Sequence, residues 1–202
     1  MKGQLSIEFL AVMAGLLIVV ATVTLPMYAQ ANSDVNKLSK ISEAKSAANV
    51  LATGLNNVYA TGPGSSMTVE YSLPAGVLAV FLGGYENLDV DGIVTTNETV
   101  PINGRADIQI LMDFNNDGLW DNTRESTIIV DTMLPSRWNE DRTDRGEDWV
   151  RDNCVHVEEN GLRVGPEYAT LSSRTFHLTT LIYRYDPSSK YPRRIVVLDE
   201  IR

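Results

Sequence analysis

The hydrophobic pattern of the chain changes period twice. From Phe9 to Ser33 there is no charged residue, and Phe9 to Ala29 reads FLAVMAGLLIVVATVTLPMYA, apolar nearly all round. That run is long enough to cross a hydrocarbon core of about 30 Å as a helix. A helix apolar on every face has to be covered by protein or lipid. Farther along, Ile41, Ala44, Ala48, Leu51, Leu55 and Val58 recur in steps of three and four, with Lys37, Lys40, Glu43, Lys45, Asn56 and Asn57 around them. This spacing predicts an amphipathic helix. Thr61-Gly62-Pro63-Gly64 stops it. Residues 4 to 60 therefore read as one long helix, roughly 85 Å at about 1.5 Å per residue. Pro26 is expected to kink it, because its ring removes a hydrogen bond and crowds the preceding turn.

After Gly64 the period becomes two. Met67–Leu73, Val77–Leu82, Ile108–Met112, Thr127–Val130, Phe176–Tyr185 and Arg194–Leu198 read as strands, separated by Gly, Asn, Asp and Pro. Pro135 to Asn160 is rich in charge and poor in apolar periodicity, and reads as a long loop or a short surface helix. The predicted fold class is α+β: a long N-terminal α-helix followed by a β-rich globular head.

Composition sharpens this picture only once it is divided. The 202 residues carry net charge −9 and are 44% hydrophobic, averages that fit an ordinary acidic globular protein. The charge is segregated, however. Residues 1 to 60 hold Lys2, Lys37, Lys40 and Lys45 against Glu8, Asp34 and Glu43, a net of +1, which leaves −10 for the remainder. An acidic head argues against a nucleic-acid partner, because phosphate binding needs clustered Lys and Arg. The single cysteine, Cys154, excludes an internal disulfide. Two histidines, His156 and His177, leave little for a histidine-rich metal site.

The N-terminus admits several readings. Ala29-Gln30-Ala31 resembles a secretory cleavage site that would cut before Asn32, although Glu8 is a poor residue for the region preceding such an apolar run and the helical phase continues past the cut. A generic signal anchor is a second reading. The third rests on Lys2-Gly3-Gln4-Leu5-Ser6-Ile7-Glu8-Phe9-Leu10. These residues resemble the class III signal peptide of archaeal type IV-like pilins, through Gly3, Gln4, Ser6 and Glu8 placed directly before an apolar helix. The family often has Leu where this chain has Val12. Bacterial Tad-type pseudopilins share the Gly and the Glu-Phe pair, but Gln4 and Ser6 favour the archaeal version.

The resemblance implies cleavage between Gly3 and Gln4 by a prepilin peptidase, with residues 1–3 removed as a leader. It implies an assembly helix over 4–60, with Glu8, Phe9 and Pro26 as its marked positions, and an extracellular head over 61–202, the pilin lollipop. The implied partners are other copies of the chain in a helical homopolymer, the peptidase and assembly machinery, and the cell membrane, which holds the precursor. The implied role is adhesion or surface attachment by an extracellular filament, with no enzymatic activity. Glu8 is expected to pair with the new amine of Gln4, since a carboxylate at the edge of an apolar helix is costly unless paired. The alternatives are lipid headgroups or the helix N-terminus as its environment. Two further readings of the whole chain remain: a minor pilin or pseudopilin, and a membrane-anchored calcium-binding domain that never polymerises.

Candidate sites in the head are few. Asp113, Asn115, Asp117, Gly118 and Asp121 fit D-x-N-x-D-G-x-x-D, a spacing that wraps oxygen ligands around Ca2+, with the Leu119 carbonyl as a further ligand. The twelfth position is Arg124 rather than Glu, with Glu125 one residue later. The same residues also read as a plain hairpin turn at Asn116-Asp117-Gly118. Asn87 to Glu98 has a similar spacing but reads as a hairpin turn at Asp91-Gly92. Asn97-Glu98-Thr99 is a glycosylation sequon. Cys154 and His156 would share a face in a strand, yet nothing supplies the rest of a nucleophilic site, so Cys154 reads as a packed core residue.

Overall fold

The structure, a computed structural model, describes residues 4–82, 107–115, 117–118, 126–135, 148–149, 153–160 and 170–201. The chain opens with helix α1 (Gln4–Val19), a π-helical turn (Val20–Thr24) and helix α2 (Leu25–Thr61). Seven strands follow: β1 (Ser66–Leu73), β2 (Val77–Leu82), β3 (Ile108–Met112), β4 (Thr127–Val130), β5 (His156–Asn160), β6 (Thr175–Tyr185) and β7 (Arg193–Ile201). The fold is α+β, a long N-terminal helix and a β-rich region. Two compact units divide the chain, residues 1–39 and residues 40–202. The second unit takes in α2 from Lys40 onward.

The disturbance expected at Pro26 takes the form of the π-helical turn just before it. Pro26 has no N–H to offer the Thr22 carbonyl, and its ring crowds that carbonyl. Widening the preceding turn makes room. The Thr22 hydroxyl in this turn donates to the Ile18 carbonyl at 2.8 Å. At the other end, α2 closes on Gly62, whose φ of +94° is the left-handed conformation that ends helices. The Gly62 N–H donates to the Val58 and Tyr59 carbonyls, and the Ser65 hydroxyl donates to Val58 O at 2.8 Å.

Within the second unit, β1, β6, β7 and β5 form a four-stranded sheet in that order; β2, β3 and β4 form a three-stranded one. All pairs are antiparallel except β5 with β7. The core joins the face of α2 that carries Ala44, Ala48, Leu51, Leu55 and Val58 to one side of each sheet. On the four-stranded sheet that side carries Val69, Tyr71, Leu181, Tyr183, Ile195 and Val197. Alternation puts those residues inward and their neighbours outward. β3 is buried at every position, as befits a central strand covered on both faces. At Gly54 the helix meets the sheet so closely that a Cβ would lie 2.8 Å from Leu181 Cδ1 and 2.9 Å from Val69 Cγ1.

One sequence expectation is corrected here. The stretch 135–160, read as loop or short helix, contains β5, which lies parallel to β7 at the sheet's edge. His156-Val-Glu-Glu-Asn160 lacks an apolar alternation of its own; its place comes from the β7 ladder, in the register His156 with Arg194 through Asn160 with Leu198.

Candidate functional site

The N-terminal unit is an uncovered apolar surface. From Ile7 to Tyr28 the large apolar side chains have between 41% and 73% of their surface open, Phe9 included. Isolated exposed apolar residues are ordinary, but a contiguous patch on this scale marks contact with lipid or protein. Glu8 is exposed at the edge of this segment. Helix residues from Ile7 onward are long and apolar enough to cross a membrane. Past the charge-free run, Val35 and Leu38 remain 61% and 64% exposed among Asp34, Lys37 and Lys40.

The 113–118 turn is organised by the Asp113 carboxylate, itself buried. Asp113 Oδ2 accepts from the Gly118 N–H at 2.9 Å and from the Thr170 hydroxyl at 2.6 Å. Asn115 Oδ1 accepts from the Asp117 N–H at 3.1 Å, and Asn115 Nδ2 donates to Asp117 Oδ2 at 3.0 Å. Gly118 has φ +82°, the left-handed conformation the turn needs at that point. Backbone bonds tie the turn to its surroundings: Asp113 N–H to Gly76 O at 2.7 Å, and Gly76 N–H to Leu171 O at 2.8 Å. Leu119 and Asp121, the other expected ligands, lie outside the described residues. Among the described residues, no group of three or more His, Cys, Asp or Glu side chains is placed to share a metal ion.

A second polar cluster lies buried at the end of the four-stranded sheet. His177 Nδ1 sits 2.6 Å from Asp199 Oδ2, and its Nε2 sits 3.0 Å from the Thr175 hydroxyl. Asp199 Oδ1 also meets the Thr179 hydroxyl and, at 3.4 Å, the Tyr71 hydroxyl. The Tyr71 ring stacks on His177 with centroids 5.2 Å apart and planes 8° apart. Burial, reinforced by the nearby Asp199 carboxylate, pushes the Tyr71 phenol well above its ordinary value. These residues come from β1, β6 and β7, so the cluster locks three strands together. Sequence reasoning missed it. Its one visible signal is that Thr175, His177 and Thr179 fall on the same face of β6 as Leu181 and Tyr183, polar residues in line with core ones.

The remaining candidates are quickly placed. Cys154 is a buried thiol that precedes β5 rather than sharing a strand face with His156. The His156 ring stacks on Tyr191 with centroids 4.5 Å apart. Gly3, the hairpin at Asp91-Gly92 and the Asn97 sequon lie outside the described residues, while Gln4 begins α1. Comparisons with protein-family models, with curated proteins and with solved structures give no match to this chain.

Proposed function

We propose that the chain is a structural subunit, a type IV-like pilin that polymerises through its N-terminal helix into an extracellular filament used for surface attachment. The supporting observation is the uncovered apolar surface from Ile7 to Tyr28, taken together with the Gly3-Gln4-x-Ser6-x-Glu8 motif. In a membrane, lipid covers that surface while the subunit waits. In a filament, the same segments of neighbouring copies replace the lipid. One interface repeated head to tail does not close on itself, so it yields an open helical polymer.

Val35 and Leu38 favour assembly over a simple lipid anchor. They stay open among charged neighbours, where acyl chains do not reach but a second helix does. In this reading Glu8 pairs with the amine exposed by cleavage, which gives its charge a partner at the edge of an apolar bundle. Mass spectrometry of the mature chain is expected to find a start at Gln4; a start at Asn32 removes the assembly helix and ends the proposal. Glu8→Ala is expected to leave cleavage intact and to reduce filaments at least tenfold by electron microscopy.

The calcium reading of residues 113–121 belongs to the same proposal as a stabilising feature of a head that has no disulfide. The Asp113 bonds to Gly118 and Thr170 and the Asn115 bonds to Asp117 hold the described part of that stretch. Chelation is expected to lower the melting temperature of the full chain by a few degrees, the effect of about 1 kcal/mol on a domain of this size. An unchanged melting temperature leaves the hairpin turn alone.

A further inference from the structure

Strand β1 is an edge strand, and a groove runs along its free side. Within the four-stranded sheet it pairs with β6 alone. The Tyr183 N–H donates to the Ser65 carbonyl at 3.0 Å. Facing residues of an antiparallel pair alternate between bonding each other and bonding outward. The unbroken register from Ser66–Ile182 to Leu73–Thr175 carries that alternation along the strand. Met67, Val69, Tyr71 and Leu73 therefore bond to β6 through their N–H and C=O groups. Those of Ser66, Thr68, Glu70 and Ser72 point the other way, where no described strand meets them.

Helix α2 runs beside this edge in the opposite direction. Asn57 Nδ2 lies 3.9 Å from Met67 Sδ, and a Cβ at Gly54 would lie 2.9 Å from Val69 Cγ1. Between helix and strand lies a groove of about 530 Å³, lined by Ser42, Lys45, Asn49 and Thr53 of α2 and by Met67 and Val69 of β1. From Ser42 to Gly54 the helix covers about 18 Å at about 1.5 Å per residue. That length matches five or six extended residues at about 3.3 Å each. Counted from the contact of Gly54 with Val69, Lys45 lies about 13 Å along the helix, level with Leu73. Lys45 is exposed on the groove side of the edge, and Glu70 is exposed on the outer side. Among the described residues neither has an ion-pair partner.

We propose that this edge and its groove bind an extended peptide segment of a partner protein by strand addition. The segment lies antiparallel to β1, with an acidic side chain toward Lys45 and a basic one across from Glu70. A row of open N–H and C=O groups is a template that only another extended backbone matches. Cross-strand neighbours share a face. Partner residues opposite Ser66, Thr68, Glu70 and Ser72 therefore point outward, and the residues between them point into the groove. Met67 and Val69 give that groove an apolar floor for small apolar side chains, and Lys45 gives it a cation at one end. Strand β1 of a second copy fits poorly. Its inward residues, Met67, Val69, Tyr71 and Leu73, bring no acid to Lys45. Its outward residues bring no base to Glu70 and set two Glu70 carboxylates on one face, where like charges destabilise the pair. All of these residues belong to the second compact unit, so the binding is independent of filament formation.

The probe is the fluorescent peptide acetyl-Asp-Thr-Val-Lys-Val-Thr-Val-Thr-amide, titrated by anisotropy against the detergent-solubilised full-length chain. Laid antiparallel to β1, it places its Asp level with Leu73 and beside Lys45, and its Lys across from Glu70. Saturable one-to-one binding is expected. N-methylation of the Lys and Thr nitrogens, whose N–H groups meet β1, is expected to abolish binding. Methylation of the Val nitrogens, which face away, is expected to leave it within threefold. Lys45→Glu is expected to weaken binding at least fivefold, and a probe with Lys in place of its Asp to recover it. Glu70→Lys is expected to behave in the same way toward a probe with Glu in place of its Lys. Circular dichroism checks the fold of each variant. Absence of saturable binding, equal loss from both methylation patterns, or no recovery in the folded charge exchanges overturns the proposal. Sedimentation of the chain alone tests the other occupant: a self-associated chain that the unmethylated probe dissociates gives the edge to a second copy and overturns the choice of partner. A chain that forms no filaments yet binds the probe ends the assembly reading and leaves strand addition standing.

Discussion

Tyr71 shows how a single residue's environment becomes a property of the whole head. Its phenol lies between Asp199 and Thr179, and burial beside a carboxylate disfavours the phenolate. The unfolded chain releases this proton near pH 10, whereas the folded chain holds it to higher pH. Above about pH 10 the unfolded state therefore binds fewer protons, and stability present below that pH is lost as pH rises. Alkaline unfolding followed by circular dichroism is expected to shift to higher pH in Tyr71→Phe, measured relative to that variant's own stability at pH 7. An alkaline midpoint that does not move assigns the transition to other groups. Asp186 works in the opposite sense: hydrogen bonds from the Ser188 hydroxyl and backbone N–H, with Arg194 adding attraction, hold its carboxyl below the usual range. Its contribution is present above the ordinary carboxylate pKa and fades as pH falls through the lowered value.

At the scale of elements, local pattern and tertiary need agree through most of the chain. The strands β2, β3 and β4 match the alternation in residue range, and α2 ends at the Gly-Pro-Gly signal. β5 escapes because a strand that borrows its ladder from β7 needs no apolar alternation of its own. Gly54 is the sharpest meeting of helix and sheet. A helix former there gains about 1 kcal/mol of intrinsic propensity over glycine. Against this, a branched side chain is driven into Leu181 and Val69, and overpacking costs about 1–3 kcal/mol. Gly54→Val, a poor helix former as well, is expected to lower stability by about 2 kcal/mol in denaturant titration. A neutral result requires the helix to stand farther from the sheet than these distances.

For the molecule as a whole, the boundary of the head matters most. Ala44, Ala47, Ala48, Leu51, Ala52, Leu55 and Val58 belong to the same core as both sheets. A chain beginning at Lys40 is therefore expected to fold cooperatively. One beginning at residue 61 loses that helix face and is expected to be unfolded or aggregated, as judged by circular dichroism and thermal melting. Folding of the shorter chain means that the sheets close a core without α2. What the sequence determined by itself is the order of periods: an apolar run, an amphipathic helix, then alternating strands, because burial on a helix or a sheet face leaves its spacing in the residue pattern. The bonds of Asp113 to Gly118 and of Asn115 to Asp117 are local too, whereas Thr170 reaches Asp113 only through the tertiary fold. Tertiary structure alone decided what depends on which strands are neighbours. The His177–Asp199–Tyr71 cluster arises only from the register of β1, β6 and β7, with Tyr71 and Asp199 128 positions apart in the chain and their meeting invisible to any local period.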